Sequence, residues 1–240
     1  IYKTGWDAAL SSTDEGFVNN SLHLSDEFDP DRFIYIRISD AFGGIPQLFL
    51  FGPAAYDRFI SEKQALEWLI AGILLSMFLY NLAIFVFLRD WPYFYYVLYI
   101  GFLLIYLLTL WGQFRLIHPG LFSFLMQHII LISVLSMISA LWFARSFLGS
   151  RIYTPRADLA IQALGAVLAA SAFLDLIHQS SLANLIVLLT ATILPLPLIC
   201  AGWVRLRQGF IATRYFMIAW GVLMIGVLAF ILFSFGVLPM

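Results

Sequence analysis

Residues 66–90 read LEWLIAGILLSMFLYNLAIFVFLRD, and from Trp68 to Leu88 no charge interrupts them. At about 1.5 Å of rise per residue, such a run crosses the ~30 Å hydrocarbon core of a bilayer as one helix. No water is available there to bond the backbone, so the segment must satisfy its own N–H and C=O groups, which a helix does. Taking Leu66 to Leu88 as the first span, five more apolar stretches follow: Tyr93 to Leu110, Leu121 to Leu141, Ala157 to Ile177, Leu182 to Val204 and Tyr215 to Leu238. The expected fold over residues 66–240 is an all-α, polytopic membrane helical bundle with six spans.

The junctions between these spans give the orientation. The first, third and fifth carry Arg89, then Arg145, Arg151 and Arg156, then Arg205, Arg207 and Arg214, whereas the second and fourth share only Arg115. Short cationic loops stay on the cytoplasmic side, so the N-terminal region and Met240 are both expected outside. The chain opens on Ile1, without an initiator Met or the regions of a signal peptide, and its sixth span ends on the outer face just before Pro239 and Met240. Both features are expected of the middle of a longer protein.

Charge divides the chain in the same place. Residues 1–67 hold five Lys/Arg against eleven Asp/Glu, and the remainder holds eight Arg against three Asp, so the net charge of −1 conceals an acidic head and a basic membrane part. Cys200 is the only cysteine and excludes an internal disulfide.

The head, residues 1–53, reads as β structure. Phe33 to Ile38 is a dense β-branched and aromatic run, Asp40 to Gly44 supplies turn residues, and Gln47 to Phe51 is a second run closed by Gly52 and Pro53. Phe17 to Leu24 is a weaker third strand. Three strands bury too little surface for a secure domain, so the head is expected to be the C-terminal end of an exported β-sandwich. Residues 54–65 form a juxtamembrane connector in which Tyr56, Phe59 and Ile60 alternate with Asp57, Arg58, Glu62 and Lys63. That pattern suits a short helix leading into the first span, with no Gly/Ser linker.

Within the spans, catalytic signatures are missing. There is no His-Glu-x-x-His, no Gly-rich phosphate loop and no Ser/His/Asp set, so no catalytic residue, metal or cofactor is expected. Ionisable residues inside a membrane are functional candidates by default, which singles out His128 in the third span and Asp175 near the outer end of the fourth. Asp175 and His178 share a helical face. These three are candidate ligand-binding residues; the plainer reading is an interfacial Asp–His pair and a histidine bonded between helices.

Gly72 with Ser76, Ser136 with Ala140, and Gly165 with Ala169 have the small-xxx-small spacing that allows close helix approach, and packing within the chain takes precedence over dimerisation. Pro195 and Pro197 remove two ladder donors from the fifth span and are expected to kink it, as a fixed bend or as a hinge. Tyr80 and Asn81 place polar groups near mid-helix, where hydrogen bonds to neighbouring helices would fix register. Arg89, Asp90, Trp91 and Tyr93 read as an interfacial anchor, and the remaining loop arginines as a basic collar against anionic lipid.

Several of these clusters occur together in one family. Leu79-Tyr80-Asn81-Leu82, then Leu88-Arg89-Asp90 with Tyr93, Tyr95 and Tyr96, then Phe143-Ala144-Arg145-Ser146-Phe147-Leu148 with Pro155 and Asp158, and finally Arg214-Tyr215-Phe216 with Ala219, Trp220 and Gly226 follow in order. From about residue 60 to residue 240 the chain resembles the bacterial seven-transmembrane receptors with diverse intracellular signalling modules, the 7TM-DISM family. The head resembles the last strands of that family's extracellular jelly-roll domain.

The resemblance implies a sensor in the bacterial inner membrane, with a seventh helix and an output module beyond these residues. The output would be a histidine kinase, a diguanylate cyclase or a phosphatase, acting in two-component or cyclic-di-GMP signalling. Implied partners are the lipid bilayer, a small extracytoplasmic ligand of carbohydrate-like class and the output domain in the same chain. A homodimer stays open, and no nucleic acid is expected. The competing reading is a transporter, which calls for polar groups along a midplane path and broken helices in paired positions. Only the fifth span is visibly broken.

Overall fold

A computed structural model describes residues 51–177 and 179–234, with the side chains of 223, 224 and 227–234 left aside. The three expected strands lie outside the described residues, save Phe51 at the end of the second, and so does His178. What is described is all-helical, in the order α1 (Pro53–Leu88), α2 (Trp91–Leu110), α3 (Gln113–Ile117), α4 (Pro119–Gln127), α5 (Ile129–Leu148), α6 (Ser150–Tyr153), α7 (Pro155–Leu176), α8 (Ser180–Ile193), α9 (Pro195–Arg207) and α10 (Thr213–Ser234).

Five stretches among the described residues are long and apolar enough to cross a membrane: α1, α2, α5, α7 and the run Ser180–Arg207 formed by α8 and α9. The sixth expected span falls on α10, and its last residues lie outside those described. Leu69, Ile73, Leu79, Phe87, Leu159, Phe173 and Leu188 are among many large apolar side chains left exposed. Apolar surface on every side of a helix is what lipid solvates, and it would be costly in water.

α1 runs unbroken from Pro53 to Leu88, so the connector is helical and continuous with the first span. The third span differs from expectation. An uninterrupted helix over 121–141 was expected, but α4 stops at Gln127, His128 leaves helical geometry (φ −108°, ψ 23°), and α5 begins at Ile129 and continues to Leu148. α4 is set instead by its own start, where Pro119 occupies the first helical position and His118 Nδ1 accepts from Leu121 N–H at 3.1 Å.

Described residues within Ile1–Leu74 and Leu104–Ile129 form one compact unit, and those within Leu75–Leu103 and Ile130–Met240 form another. In the first, α3 packs on α4, and Phe122 and Ile60 are buried. In the second, α7 packs on α8 and α9, and α9 packs on α10. Leu141, Leu148, Ile161, Leu168 and Leu198 are fully buried there. Ser136 is also buried and donates to the Tyr99 carbonyl at 3.3 Å, holding α5 against α2. Of the three small-residue pairs, Ser136 and Ala140 serve packing within the chain. Gly72 and Gly165 have no atom within 4 Å of where a Cβ would stand.

Candidate functional site

The densest polar arrangement in the second unit lies where α5 turns through α6 into α7. Gly149 ends α5 with φ 60°, a left-handed conformation that glycine adopts without the Cβ penalty of other residues. α6 then makes a single turn, and Pro155 opens α7, where its missing N–H costs nothing. This double turn brings Asp158, in the first turn of α7, against Arg145, in the last turn of α5.

Arg145 grips the carboxylate with two donors, Nε to Oδ1 at 2.7 Å and Nη2 to Oδ2 at 3.0 Å. Ser150 Oγ donates to Oδ1 at 2.7 Å, and Gln162 Nε2, one helical turn on, donates to Oδ2 at 2.7 Å. A carboxylate offers about four acceptor sites, and all are taken. Asp158 is 4% exposed and Ser150 is fully buried. So saturated a carboxylate has no lone pair left for proton transfer or a metal, and its position at a helix N-terminus further favours the anion. The cluster is a lock on the α5–α7 turn.

An aromatic and cationic shell surrounds it. Phe147 stacks on Phe216 at 5.7 Å and touches Phe143 and Phe210, while Tyr96 meets Phe143 edge-on at 5.0 Å. Phe216 continues to Trp220 at 5.8 Å. The Arg205 guanidinium lies 3.6 Å from the centroid of Tyr153 and 4.7 Å from that of Phe210, and Arg145 lies 5.1 Å over Trp142. The arginine-bearing junctions α5–α7 and α9–α10 are thereby tied together through rings and cations.

Other candidates fall elsewhere. Tyr80 is exposed, and Asn81 Nδ2 donates to the Met77 carbonyl of its own helix at 2.8 Å. The expected bond to a neighbouring helix is therefore not the one Asn81 makes; an amide on a helix reaches its own i−4 carbonyl more easily than a partner across lipid. Arg89 turns the chain between α1 and α2 with φ 50°, its N–H bonding Phe85 O at 2.7 Å, and Asp90 O then accepts from Tyr93 N–H at 3.1 Å. Arg89, Asp90 and Trp91 are exposed, and Tyr93 is half-buried. Arg214 and Tyr215 open α10 on its exposed face.

His128 sits at the α4–α5 break with its ring against Phe124 at 4.8 Å. Asp175, in the last turn of α7, is buried and accepts from Ser180 Oγ at 2.8 Å, which ties α7 to α8. Among the described residues, no group of three His, Cys, Asp or Glu side chains could hold a metal. Pro195 and Pro197 lie in the first turn of α9, and the ladder passes from α8 through Leu194, whose N–H still reaches Thr190 O at 2.8 Å.

The first unit holds a polar contact that sequence reasoning missed. Glu67, only 7% exposed, accepts from Gln113 Nε2 at 3.2 Å and lies 3.7 Å from Lys63 Nζ. Glu67 reads in the sequence as one charge among several in an acidic connector; nothing there marks it as buried. Ser150 was missed as well. Gln162 was detectable in principle, being four residues after an aspartate on a helix.

Several apolar helices of this length define a multi-pass membrane protein. The family model described as 7TM diverse intracellular signalling matches residues 63–240, well over half of the chain, and the chain belongs to that family. No curated protein and no solved structure matches it.

Proposed function

We propose that this chain is the membrane-spanning part of a sensor in a bacterial inner membrane. It carries the binding of a small extracytoplasmic ligand, of carbohydrate-like class, to a cytoplasmic output module in the same protein. The output would be a histidine kinase, a diguanylate cyclase or a phosphatase, while the helical part described here performs no catalysis. Family membership supports the sensing role, and the arginine-rich junctions support an outward N-terminal region.

The observation that carries the reading is the unbroken helix Pro53–Leu88. A helix passes a small displacement along its axis, whereas a coil of the same length dissipates it. Of the buried charged groups, Glu67 stands at the outer edge of the expected first span, Arg115 in the short α3, and Asp158 and Asp175 in the first and last turns of α7, so none falls in the middle of an expected span. That distribution favours a sensor over a transporter.

A Gly/Ser insertion after Ser61 in the full-length protein tests this. Membrane insertion and ligand affinity should persist while ligand-dependent output is lost. Output retained at full strength would overturn mechanical coupling through α1, and ligand uptake that merely slows would favour the transporter.

A further inference from the structure

Tyr80 lies deep in the first span with its side chain on the surface of the protein. It is 67% exposed, and its hydroxyl makes no hydrogen bond among the described residues. Along α1 it stands about 12 Å from Leu88, at 1.5 Å of rise per residue. Helix side chains lean toward the N-terminus, so the ring leads away from the nearer helix end and into hydrocarbon, which offers a hydroxyl nothing to bond.

The side of α1 that carries Tyr80 is exposed along its length. Opposite it, Glu67, Ala71, Leu74, Phe78 and Asn81 are buried or half-buried. On the Tyr80 side, Ala65, Leu69, Gly72, Ser76 and Ala83 are all exposed, and Gly72 has no atom within 4 Å of where a Cβ would stand. Of the small residues between Ala65 and Val86, Ala71 alone lies off this side, so a second helix has room to approach closely.

Charge selects the occupant. Every copy of the chain inserts the same way round, so two copies that meet on this side do so with α1 parallel to α1, each level against its own counterpart. Trp68 to Leu88 holds no charge, and these levels bring no like charges together. Beyond Trp68, on the same side, Arg58 and Glu62 pair at 2.9 Å with both side chains largely in solvent. Two such pairs side by side set each arginine next to the glutamate of the other copy, so the pattern complements itself. At the other end Arg89 is followed directly by Asp90, and opposite charges again lie together.

We propose that α1 forms the contact between two copies of this chain, packed parallel along Ala65 to Ala83, with the Tyr80 hydroxyl of each donating to Ser76 of the other. A serine hydroxyl accepts as well as donates, and the leaning Tyr80 ring reaches the level one turn toward the N-terminus, where Ser76 stands. The contact requires only that the chain sit in a bilayer, not that it signal.

The test uses the full-length protein in membranes, in a Cys200→Ser background. On oxidation Leu69→Cys, Gly72→Cys and Ala83→Cys should each give a disulfide-linked dimer, and Met77→Cys, exposed but turned away from this side, should give none. In mild detergent native mass spectrometry should show the dimer, and Tyr80→Phe should lower its association constant about tenfold. Gly72→Phe should abolish association while thermal unfolding stays that of the parent; if it misfolds, Tyr80→Phe and the cysteine scan still decide. Arg58→Glu should weaken the dimer, and adding Glu62→Arg should restore it. No dimer, equal cross-linking at Met77→Cys, association unchanged in Tyr80→Phe or in a folded Gly72→Phe, or no recovery on charge exchange would each overturn the contact. So would cysteines on this side that stay monomeric: shielded from a membrane-permeant thiol reagent, they would assign the face to another helix of the same protein, and reactive, to lipid.

Discussion

Arg145 and Asp158, thirteen residues apart in sequence, meet in a two-pronged ion pair at 2.7 and 3.0 Å across the turn that joins α5 to α7. Removing one partner of such a pair leaves the other buried and uncompensated, which typically costs more than the pair contributes. Asp158→Ala should therefore destabilise the protein by about 3 kcal/mol, toward the lower end because Arg145 can still reach solvent. Arg145→Lys should lose the second prong and recover only part of the coupling. A double-mutant cycle on unfolding in mild detergent measures it; an interaction term near zero would mean that the lock contributes nothing.

Glu67 and Glu62 lie five residues apart on α1 but in opposite surroundings. Glu62 bonds Arg58 at 2.9 Å with both side chains largely in solvent, and exposed pairs of this kind contribute little. Glu67 is buried against Gln113. Glu62→Ala should change stability by less than about 0.5 kcal/mol, and Glu67→Ala by about 1.5–3 kcal/mol, because Gln113 is left buried without its acceptor. Equal effects in thermal unfolding would show that the Glu67 contact is not formed.

The spans were legible because lipid imposes a simple rule: an apolar run of sufficient length becomes a helix, whatever lies beside it. The start of the third was not. Leu121 to Leu141 is apolar enough to read as one span, and although Gln127 and His128 interrupt it where α4 ends, two polar residues do not by themselves announce a change of backbone geometry. Arg145 and Asp158 stood out as motif residues, yet their pairing depends on a left-handed glycine, a one-turn helix and a proline acting in sequence. Arg145 therefore read as one more charge in a basic collar. Asn81 was misread for a related reason: a helix apolar all round has no phase from which to infer which way an amide points.

Gly149 makes that turn possible. An added Cβ would stand 3.1 Å from the Tyr153 ring, and the φ of 60° disfavours any branched or bulky residue. Gly149→Ala should cost at least about 1–2 kcal/mol from the left-handed conformation alone. Gly149→Asn should cost less than Gly149→Val, since asparagine tolerates that region. Unfolding midpoints of the three variants give the order, and no loss in Gly149→Val would show that the turn relaxes freely.

Orientation can be checked with cysteines on exposed positions. In a Cys200→Ser background, cysteines replacing Arg151 or Arg207 should be shielded from an impermeant thiol reagent in intact cells, whereas one replacing Gln179 should react. The expectation follows from the arginines at the first, third and fifth junctions. Labelling at either arginine position without permeabilisation would reverse the proposed topology.

α9 and α10 approach each other at Gly202, where a Cβ would stand 2.5 Å from Met217 Sδ and 3.5 Å from Thr213 Cγ2. Gly202 and Thr213 are both buried, so the room for a methyl group must come from the methionine. Overpacking of this kind costs about 1–3 kcal/mol when neighbours cannot move, and a flexible thioether yields more readily than backbone would. Gly202→Ala should therefore sit at the low end of that range, near 1 kcal/mol. Gly202→Val adds a second branch that Met217 cannot clear and should approach about 3 kcal/mol. Shortening the obstacle provides the decisive comparison. Met217→Ala alone opens a cavity and destabilises, but combined with Gly202→Val it should recover much of the loss, because the valine fills space the methionine vacated. Additive losses in the double variant, read from unfolding in detergent, would mean that these side chains are not in contact and that α9 and α10 are held apart at this level.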